Sequence, residues 1–305
     1  MEANVKVNQE NTVTPVLKVN PWTRWIRLLL HSKTGTVGFF IVFSVVFVAI
    51  FADLLAPHDP AVNNLGAMLL PPAWIDGGTS TYFLGTDNLG RDIFSRIIYG
   101  TRVSLLVGVF SVILAGLIGM IVGLIAGYYG GFIDTVLMRI VDSFIAIPSI
   151  LFILVVLSVF DPSLLVLIIV IGFTNWVNYA RVVRGEVLSI KEREFVKASK
   201  SIGTKNITII IKHILPNTLS SFIVISTLSV ATTIVLEASL SFLGLGIQPP
   251  EVSWGGMLTD GRNYLATNWW LATFPGIAIT VTVLGIIFLG DWLRDVLDPR
   301  TKIRK

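Results

Sequence analysis

Residues 194–217 read EFVKASKSIGTKNITIIIKHILPN, a basic, partly amphipathic stretch between two strongly hydrophobic runs. Gly203 interrupts it once, and glycine permits the left-handed backbone that ends a helix. The residues before Gly203 predict one helix, and Asn206 is placed to help begin a second. A short turn is enough to join two membrane spans. An ordered connection of this length therefore favours a protein-binding surface, and a merely basic loop beside the membrane is the alternative.

The chain around this stretch has the composition of a membrane protein. Of its 305 residues 53% are hydrophobic and 14% are charged, and the mean hydropathy is +0.79. Soluble domains are about 25% charged. The net charge of +4 is spread between apolar runs, which does not favour nucleic-acid binding. The absence of cysteine excludes disulfides and thiolate sites, and the three histidines are too far apart in sequence to favour a metal site.

Six runs are apolar and long enough to cross about 30 Å of hydrocarbon as helices. They lie at about 36–55, 102–127, 141–160, 163–183, 218–240 and 271–291. With both termini in the cytoplasm, the only lysines and arginines left outside are Arg91, Arg96, Arg102 and Arg262. The positive-inside rule therefore predicts an all-α integral membrane protein with six transmembrane helices, N-in and C-in.

This topology divides the chain into segments. The prediction is a cytoplasmic tail with an interfacial helix at 1–35, a first span at 36–55, an external loop at 56–101, a membrane domain at 102–295 and a tail at 296–305. Trp22 and Trp25 are expected to anchor the interfacial helix at the headgroups. No small-residue cleavage site follows the first span, which favours a retained anchor over a signal peptide.

The second span carries a small residue at every fourth position. The members are Ser111, Ala115, Gly119, Gly123 and Gly127. Such a ladder lets two helix backbones approach closely. It predicts tight packing, either within the subunit or against a second membrane subunit.

The fifth span carries polar residues on one helical face. They are Ser226, Ser229, Thr233, Glu237 and Ser241. A polar face is costly in lipid, so it predicts either a water-filled translocation path or hydrogen bonds to neighbouring helices. Both interpretations stay open. Glu237 lies toward the outer end, where a structural role is favoured over a proton relay.

Further polar residues lie near the cytoplasmic ends of the third and fourth spans. Asn175, Asn178 and Tyr179 are interpreted as interfacial anchors. Arg139 and Asp142 are three residues apart and can pair on one helix surface.

The motifs of nucleotide hydrolysis and covalent catalysis are missing from the sequence. It contains no G-x-x-x-x-G-K-[ST], no G-x-G-x-x-G, no H-E-x-x-H and no G-x-S-x-G. We therefore expect no catalytic residue, no metal site and no cofactor in this chain. If it pumps, the energy comes from another chain or from an ion gradient.

Residues 197–216 resemble the cytoplasmic coupling signature of bacterial ABC importer permeases, E-A-A-x-x-x-G followed nine residues later by I-x-L-P. Lys197, Ala198 and Ser199 stand at the E-A-A positions, and Gly203 is the glycine. The resemblance implies coupling helices within about 186–217, with these contact residues for ATPase subunits: Phe195, Lys197, Ala198, Ser199, Gly203, Leu215 and Pro216. Because lysine replaces the signature's glutamate, shape is expected to matter more than that one charge.

Residues 84–105, LGTDNLGRDIFSRIIYGTRVSL, resemble L-G-T-D-x-x-G-R-D-x-x-S-R-x-x-Y-G-x-R-x-S-L at every specified position. That signature belongs to the C-type permeases of dipeptide, oligopeptide and nickel importers. Residues 237–258 and 288–300 are also similar to this family. Within the stretch Asp92 can pair with Arg96. We expect Asp87, Arg91, Asp92 and Arg96 to seal an external gate or to contact a binding protein, and a purely structural role is the alternative.

The resemblance implies a type I ABC importer transmembrane domain in the bacterial cell membrane, in a heterodimer with a homologous permease. The implied partners are two cytoplasmic ATPase subunits, which bind ATP and Mg, and an external solute-binding protein. Peptide is the expected cargo, and nickel or a metal chelate is the alternative. An ion-coupled secondary carrier would need charged residues deep in the membrane and inverted repeats. Only Glu237 comes near the first requirement, and it lies toward the outer end. A membrane enzyme would need a nucleophile or metal constellation.

Overall fold

The computed structural model describes residues 27–297, and within that range it contains helices and connecting segments but no β-sheet. The helices are α1 (Lys33–Ile50), α2 (Ala52–Leu55), α3 (Ile93–Tyr129), α4 (Gly131–Ile145), α5 (Ser149–Val159), α6 (Leu164–Lys191), α7 (Glu194–Ser201), α8 (Asn206–Ile209), α9 (Leu215–Leu240), α10 (Trp254–Gly261) and α11 (Trp270–Leu297). Residues 27–31 are also helical, and Trp22 and Trp25 lie outside the described residues. Five helices can span a membrane alone, and the bent pair α4–α5 makes the sixth span, which confirms the predicted number.

Helix α1 packs closely on α11. Ser32 caps α1 by accepting a hydrogen bond from the Gly35 amide at 3.1 Å. A Cβ on Gly35 would lie 2.5 Å from Cγ of Trp292, and one on Gly38 would lie 2.6 Å from the Leu289 amide nitrogen. These two glycines therefore set the distance between the first and last spans.

Helix α3 begins at Ile93, whereas hydropathy predicts a span only from 102. The earlier start follows from Asp92, whose carboxylate accepts a hydrogen bond from the Ser95 amide at 3.0 Å and caps the helix. With 37 residues, α3 is about 55 Å long and exceeds the hydrocarbon thickness. Its first turns therefore stand outside the membrane. Together with residues 52–92 and 246–269 they are called the external cap here.

The small-residue ladder of α3 faces α6 of the same subunit. A Cβ on Gly119 would lie 2.3 Å from Cβ of Tyr179, and one on Gly123 or Gly127 would lie 2.7 Å from Cβ of Val183 or Val187. These contacts correspond to the first of the two alternatives for the ladder, packing within the subunit.

The third span is broken, whereas a continuous span was predicted over 141–160. Helices α4 and α5 meet at an angle of 76° across residues 146–148. Pro148 explains the break, because it donates no backbone hydrogen bond and disfavours helical geometry in the residue before it.

The two sides of the membrane carry different connections. On the cytoplasmic side α6 ends at Lys191 and α7 begins at Glu194, so the single helix predicted before Gly203 is divided. Helix α8 continues into α9 through a π-helical turn at Ile210–Ile214, and a second π-helical turn, Ser241–Leu245, follows α9. On the external side residues 52–92 and 246–269 fold together around α10.

Candidate functional site

The connection between α6 and α9, residues 192–214, is called the coupling segment here. Helices α7 and α8 are joined through Gly203, whose backbone is left-handed with φ +77°. Val196 is buried and packs in one cluster with Ile190, Ile209 and Ile214. The segment thus has a small apolar core that continues into both adjoining spans.

Three large apolar side chains are exposed on the coupling segment although it is expected on the water side. Phe195 is 41% exposed, Ile202 81% and Ile207 57%. Lysines at 197, 200 and 205 surround these side chains. An exposed apolar cluster with a polar rim is typical of a protein-binding surface.

The structure brings most of the predicted coupling residues together. Phe195, Lys197, Ala198 and Ser199 lie on α7, with Gly203 just beyond it, whereas Leu215 and Pro216 lie in the first turn of α9. The hydroxyl of Ser199 donates a hydrogen bond to the Phe195 carbonyl at 2.8 Å. These contacts lie within the segment itself.

Lys197 also binds within the segment. Its ammonium lies 2.9 Å from Oε2 of Glu192 and holds the pKa of that carboxyl below its usual range. Both side chains are mostly exposed, so the pair contributes little to stability.

Three contacts that were missed at the sequence level fix the coupling segment and the cytoplasmic end of α6 to the bundle. The Tyr128 hydroxyl donates to Oδ1 of Asn206 at 2.8 Å, and the Lys191 ammonium donates to the Gly127 carbonyl at 3.2 Å. Arg184 binds Asp134 through two hydrogen bonds of 2.5 and 2.6 Å. The contact of Lys191 could have been predicted, because lysines often bind the last carbonyls of helices.

The polar face of α9 lies inside the subunit. Glu237 is fully buried, and its carboxyl accepts hydrogen bonds from Ser241 at 2.8 Å and Ser104 at 3.5 Å. Thr233 is also buried.

Ser226 and Ser229 complete this face and lie against the hydroxyl of Tyr179 on α6. The placement of the four residues corresponds to the second alternative, interactions between helices. Their role in the translocation path stays a prediction.

The predicted external residues form a buried ion network. Arg91 donates to Asp87 at 2.7 Å and to Asp260 at 3.2 Å. Arg96 pairs with the same two carboxylates, with Nη2 3.1 Å from Oδ2 of Asp260. The network fastens the loop before α3 to the end of α10.

Asp92 has a separate role beside this network. Its carboxylate accepts hydrogen bonds from the Ser95 amide and from the Ser95 hydroxyl at 2.6 Å, and it lies 3.4 Å from Nδ1 of His58. The predicted pairing of Asp92 with Arg96 is therefore replaced by an N-cap. Because Asp87, Asp92 and Arg96 are buried, their contact with a binding protein or role in a gate stays a prediction.

Among residues 27–297 no group of three or more His, Cys, Asp or Glu side chains is placed to hold a metal ion. The features present are a multi-span helix bundle, a cytoplasmic connection with exposed apolar side chains and an external cap fastened by ion pairs. Together they define the class, a multi-pass α-helical membrane protein.

Comparison with known families identifies which subunit of this class it is. The model of the binding-protein-dependent transport system inner membrane component matches residues 119–303. The model of the N-terminal TM domain of oligopeptide transport permease C matches residues 20–72. The chain belongs to the family of binding-protein-dependent transport system inner membrane components and is a multi-pass permease of an ABC transport system.

Similar proteins cover nearly the whole chain. The dipeptide transport system permease protein DppC of Alkalihalophilus pseudofirmus is 43% identical over 284 residues, 93% of this chain and 91% of the relative. DppC of Escherichia coli K12 is 40% identical over 297 residues, 97% of this chain and 99% of the relative. The oligopeptide transport system permease protein OppC of Bacillus subtilis is 41% identical over 274 residues, 90% and 87% respectively.

A solved structure shares the fold. An inward-facing MetNI methionine ABC transporter chain superposes with a TM-score of 0.55 at 20% identity, covering 67% of this chain and 96% of that one. The predicted fold class, an ABC importer transmembrane domain, is thereby confirmed.

Proposed function

We propose that this chain is the permease subunit of an importer for short peptides. The names of the relatives with 40–43% identity support di- and oligopeptides as the cargo. They do not favour the alternative of nickel or a metal chelate. Selectivity is expected to rest largely with an external solute-binding protein, which the family's dependence on such proteins supports.

The cytoplasmic partners we propose are two ATPase subunits, which bind ATP and Mg. The single observation that carries this proposal is the exposed apolar cluster of the coupling segment, Phe195, Ile202 and Ile207. Isolated apolar side chains on a surface need no explanation. Several of them on one short, ordered segment favour insertion of that segment into a groove of another protein.

The work of the chain is a rigid-body movement rather than chemistry. A push on the coupling segment reaches α6 and α9 through the shared core of Val196, Ile190, Ile209 and Ile214. Since closely packed cores deform little, the spans follow the coupling segment as a unit. With a homologous permease as the other half of the path, this movement alternates access between the two sides of the membrane.

Replacement of Ile202 by aspartate tests the coupling surface. Ile202 and Leu54 are both 81% exposed, but Leu54 lies on the external side of the first span. We expect Ile202→Asp to reduce copurification of the ATPase subunits and peptide uptake by about tenfold or more, as for a central interface residue. Leu54→Asp should leave copurification unchanged. Equal copurification in both variants would contradict the proposed docking surface.

The cargo is tested separately. The assembled importer with its binding protein should take up a labelled dipeptide in an ATP-dependent manner, and excess unlabelled peptide should compete. Uptake of nickel ions without uptake of peptide would contradict the proposed cargo.

A further inference from the structure

A cleft with both polar and apolar lining residues opens beside the break between α4 and α5. Its volume is about 200 Å³, enough for several water molecules. Residues 144–152 form one wall and α6 forms the other, with the polar side chains Ser149, Thr174, Asn175 and Asn178 among the lining residues.

The cleft lies at membrane depth. Helix α4 begins on the cytoplasmic side at Gly131, so the break at 146–148 lies about 22 Å along it. Asn175 lies about 16 Å along α6 from its external start at Leu164. In a layer about 30 Å thick these distances leave about 8 Å and 14 Å to the opposite surfaces, so both positions lie within the hydrocarbon layer.

The polar face of α6 continues beyond the cleft. Thr174, Asn178 and Arg181 are spaced by four and three residues and share one helical face. Arg181 pairs at 2.6 Å with Asp142 of α4, one turn closer to the cytoplasm than the break. Asp142 thus pairs across two helices rather than with Arg139, the neighbour expected from the sequence.

The carboxamide of Asn178 is free to bind a ligand. It is exposed, and residues 27–297 provide no hydrogen-bond partner for it. Thr174 and Asn175, by contrast, each donate to a carbonyl of their own helix, at 2.6 and 3.1 Å. Ser149, on the opposite wall, is exposed as well.

An exposed amide and an interrupted backbone do not face lipid at this depth, because hydrocarbon supplies no hydrogen bonds. They are tolerated where they line a water-filled cavity. We propose that this cleft is a section of the aqueous translocation path, and that Asn178 and Ser149 bind main-chain amides of the passing peptide. The identity of the cargo rests on the proposed function.

The chemistry of the lining matches a neutral polar group. A carboxamide donates and accepts hydrogen bonds, as a peptide unit does, and a hydroxyl does the same. None of the residues lining the cleft is charged. The polar groups of such a site bind the part that all peptides share. The candidates on α9, Ser226, Ser229, Thr233 and Glu237, face the interior of the subunit instead.

Single-cysteine labelling tests whether the cleft holds water. The chain has no cysteine, so Asn178→Cys and Ser149→Cys introduce unique thiols. Leu117→Cys is the matched control, because Leu117 is 58% exposed near mid-membrane on α3, away from the cleft. A charged methanethiosulfonate reagent reacts with thiolates in water. In the assembled importer we expect both cleft thiols to react at least ten times faster than the control.

Two results would overturn the inference at this step. One is an equally slow reaction of all three thiols, both with and without ATP. The other is a crosslink from position 178 to the second permease with no reagent access, which would make the cleft part of the subunit interface.

Peptide uptake tests the binding role of Asn178. Asn178→Leu should lower uptake about tenfold, the effect of one lost hydrogen bond, and Asn178→Gln should restore most of it. Copurification of the partners checks assembly in each variant. Wild-type uptake by an assembled Asn178→Leu importer would overturn the binding role. If the wild-type importer took up no peptide but the cleft thiols reacted, the proposed cargo would fail and the aqueous path would stand.

Discussion

The external cap and the coupling segment differ in which side chains they bury and which they expose. In the cap Arg91 and Arg96 are buried and each binds the same two aspartates. In the coupling segment Phe195, Ile202 and Ile207 are exposed, and the ion pair Lys197–Glu192 lies in solvent. The cap pairs its buried arginines within the subunit, whereas the coupling segment leaves apolar groups exposed.

This difference teaches where partners are needed. Breaking a buried ion pair is costly, so the paired arginines favour one arrangement of the cap. A small exposed knob with its own core keeps its shape but gains stability from a partner. Substitutions in the external cap should therefore lower stability, whereas substitutions in the coupling segment should weaken the coupling of ATP hydrolysis to uptake.

The largest effect is expected for Arg96→Leu. It leaves Asp87 and Asp260 with Arg91 alone inside the cap, and breaking a buried ion pair costs about 3–5 kcal/mol. Thermal unfolding of the purified protein in detergent measures the change. Arg102→Leu on the same helix is the control, because its ion pair with Asp53 is largely exposed and is screened by solvent. Equal shifts of the two midpoints would show that the buried network does not fasten the cap.

A smaller effect is expected for Gly203→Val. The backbone there has φ +77°, and a left-handed conformation costs a non-glycine residue about 1–2 kcal/mol. A Cβ at this position meets no atom within 4 Å, so the cost is conformational rather than steric. We expect weaker coupling of ATP hydrolysis to uptake, with thermal stability of the cap unchanged. Gly203→Asn should behave more like the wild type, since asparagine tolerates this conformation.

A larger side chain at the same position probes the surface itself. Gly203→Trp should uncouple hydrolysis from transport, because it adds bulk to the tip that enters the partner. Unchanged assembly and uptake in Gly203→Trp would contradict the assignment of the coupling segment.

The smallest effect is expected for Lys197→Gln. Lys197 lowers the pKa of Glu192, so its stabilisation is present above the unfolded-state pKa of that carboxyl and is lost as the pH falls through the folded value. Both side chains are exposed, so uptake at neutral pH should stay within about twofold of wild type. Any stability difference from wild type should vanish in the acidic range, and its persistence there would indicate another role for Lys197.

The number of spans and the break at Gly203 were predictable because hydropathy and glycine geometry are local properties. The division of the helix at Glu192 and Arg193 was not, since the residues on both sides of it are good helix formers. The ion network was also beyond prediction. Asp260 is separated from Arg96 by most of the membrane domain, and no single sequence tells which carboxylate closes such a pair.

The cleft shows a second limit of pattern reading. Pro148 is a visible signal of a break, but a run of apolar residues on both sides masked it in the hydropathy. Asn178 was interpreted as an interfacial anchor, and the sequence pattern did not show the cleft that the broken span forms beside it. The polar face of α9 illustrates the converse, since Glu237 is recognisable from the sequence whereas Ser104, its partner on α3, is not.

The π-helical turn at Ile210–Ile214 sets how the coupling segment is rotated about the helix axis relative to α9. A π-helical turn holds one residue more than the α-helix around it, and each residue of an α-helix advances it by about 100°. Deleting one residue there would keep every side chain of α9 but turn the coupling segment by roughly a quarter of a circle relative to Glu237. The exposed surface of the coupling segment would then point in another direction. The number of residues in this turn therefore matters as much as the side chains in it.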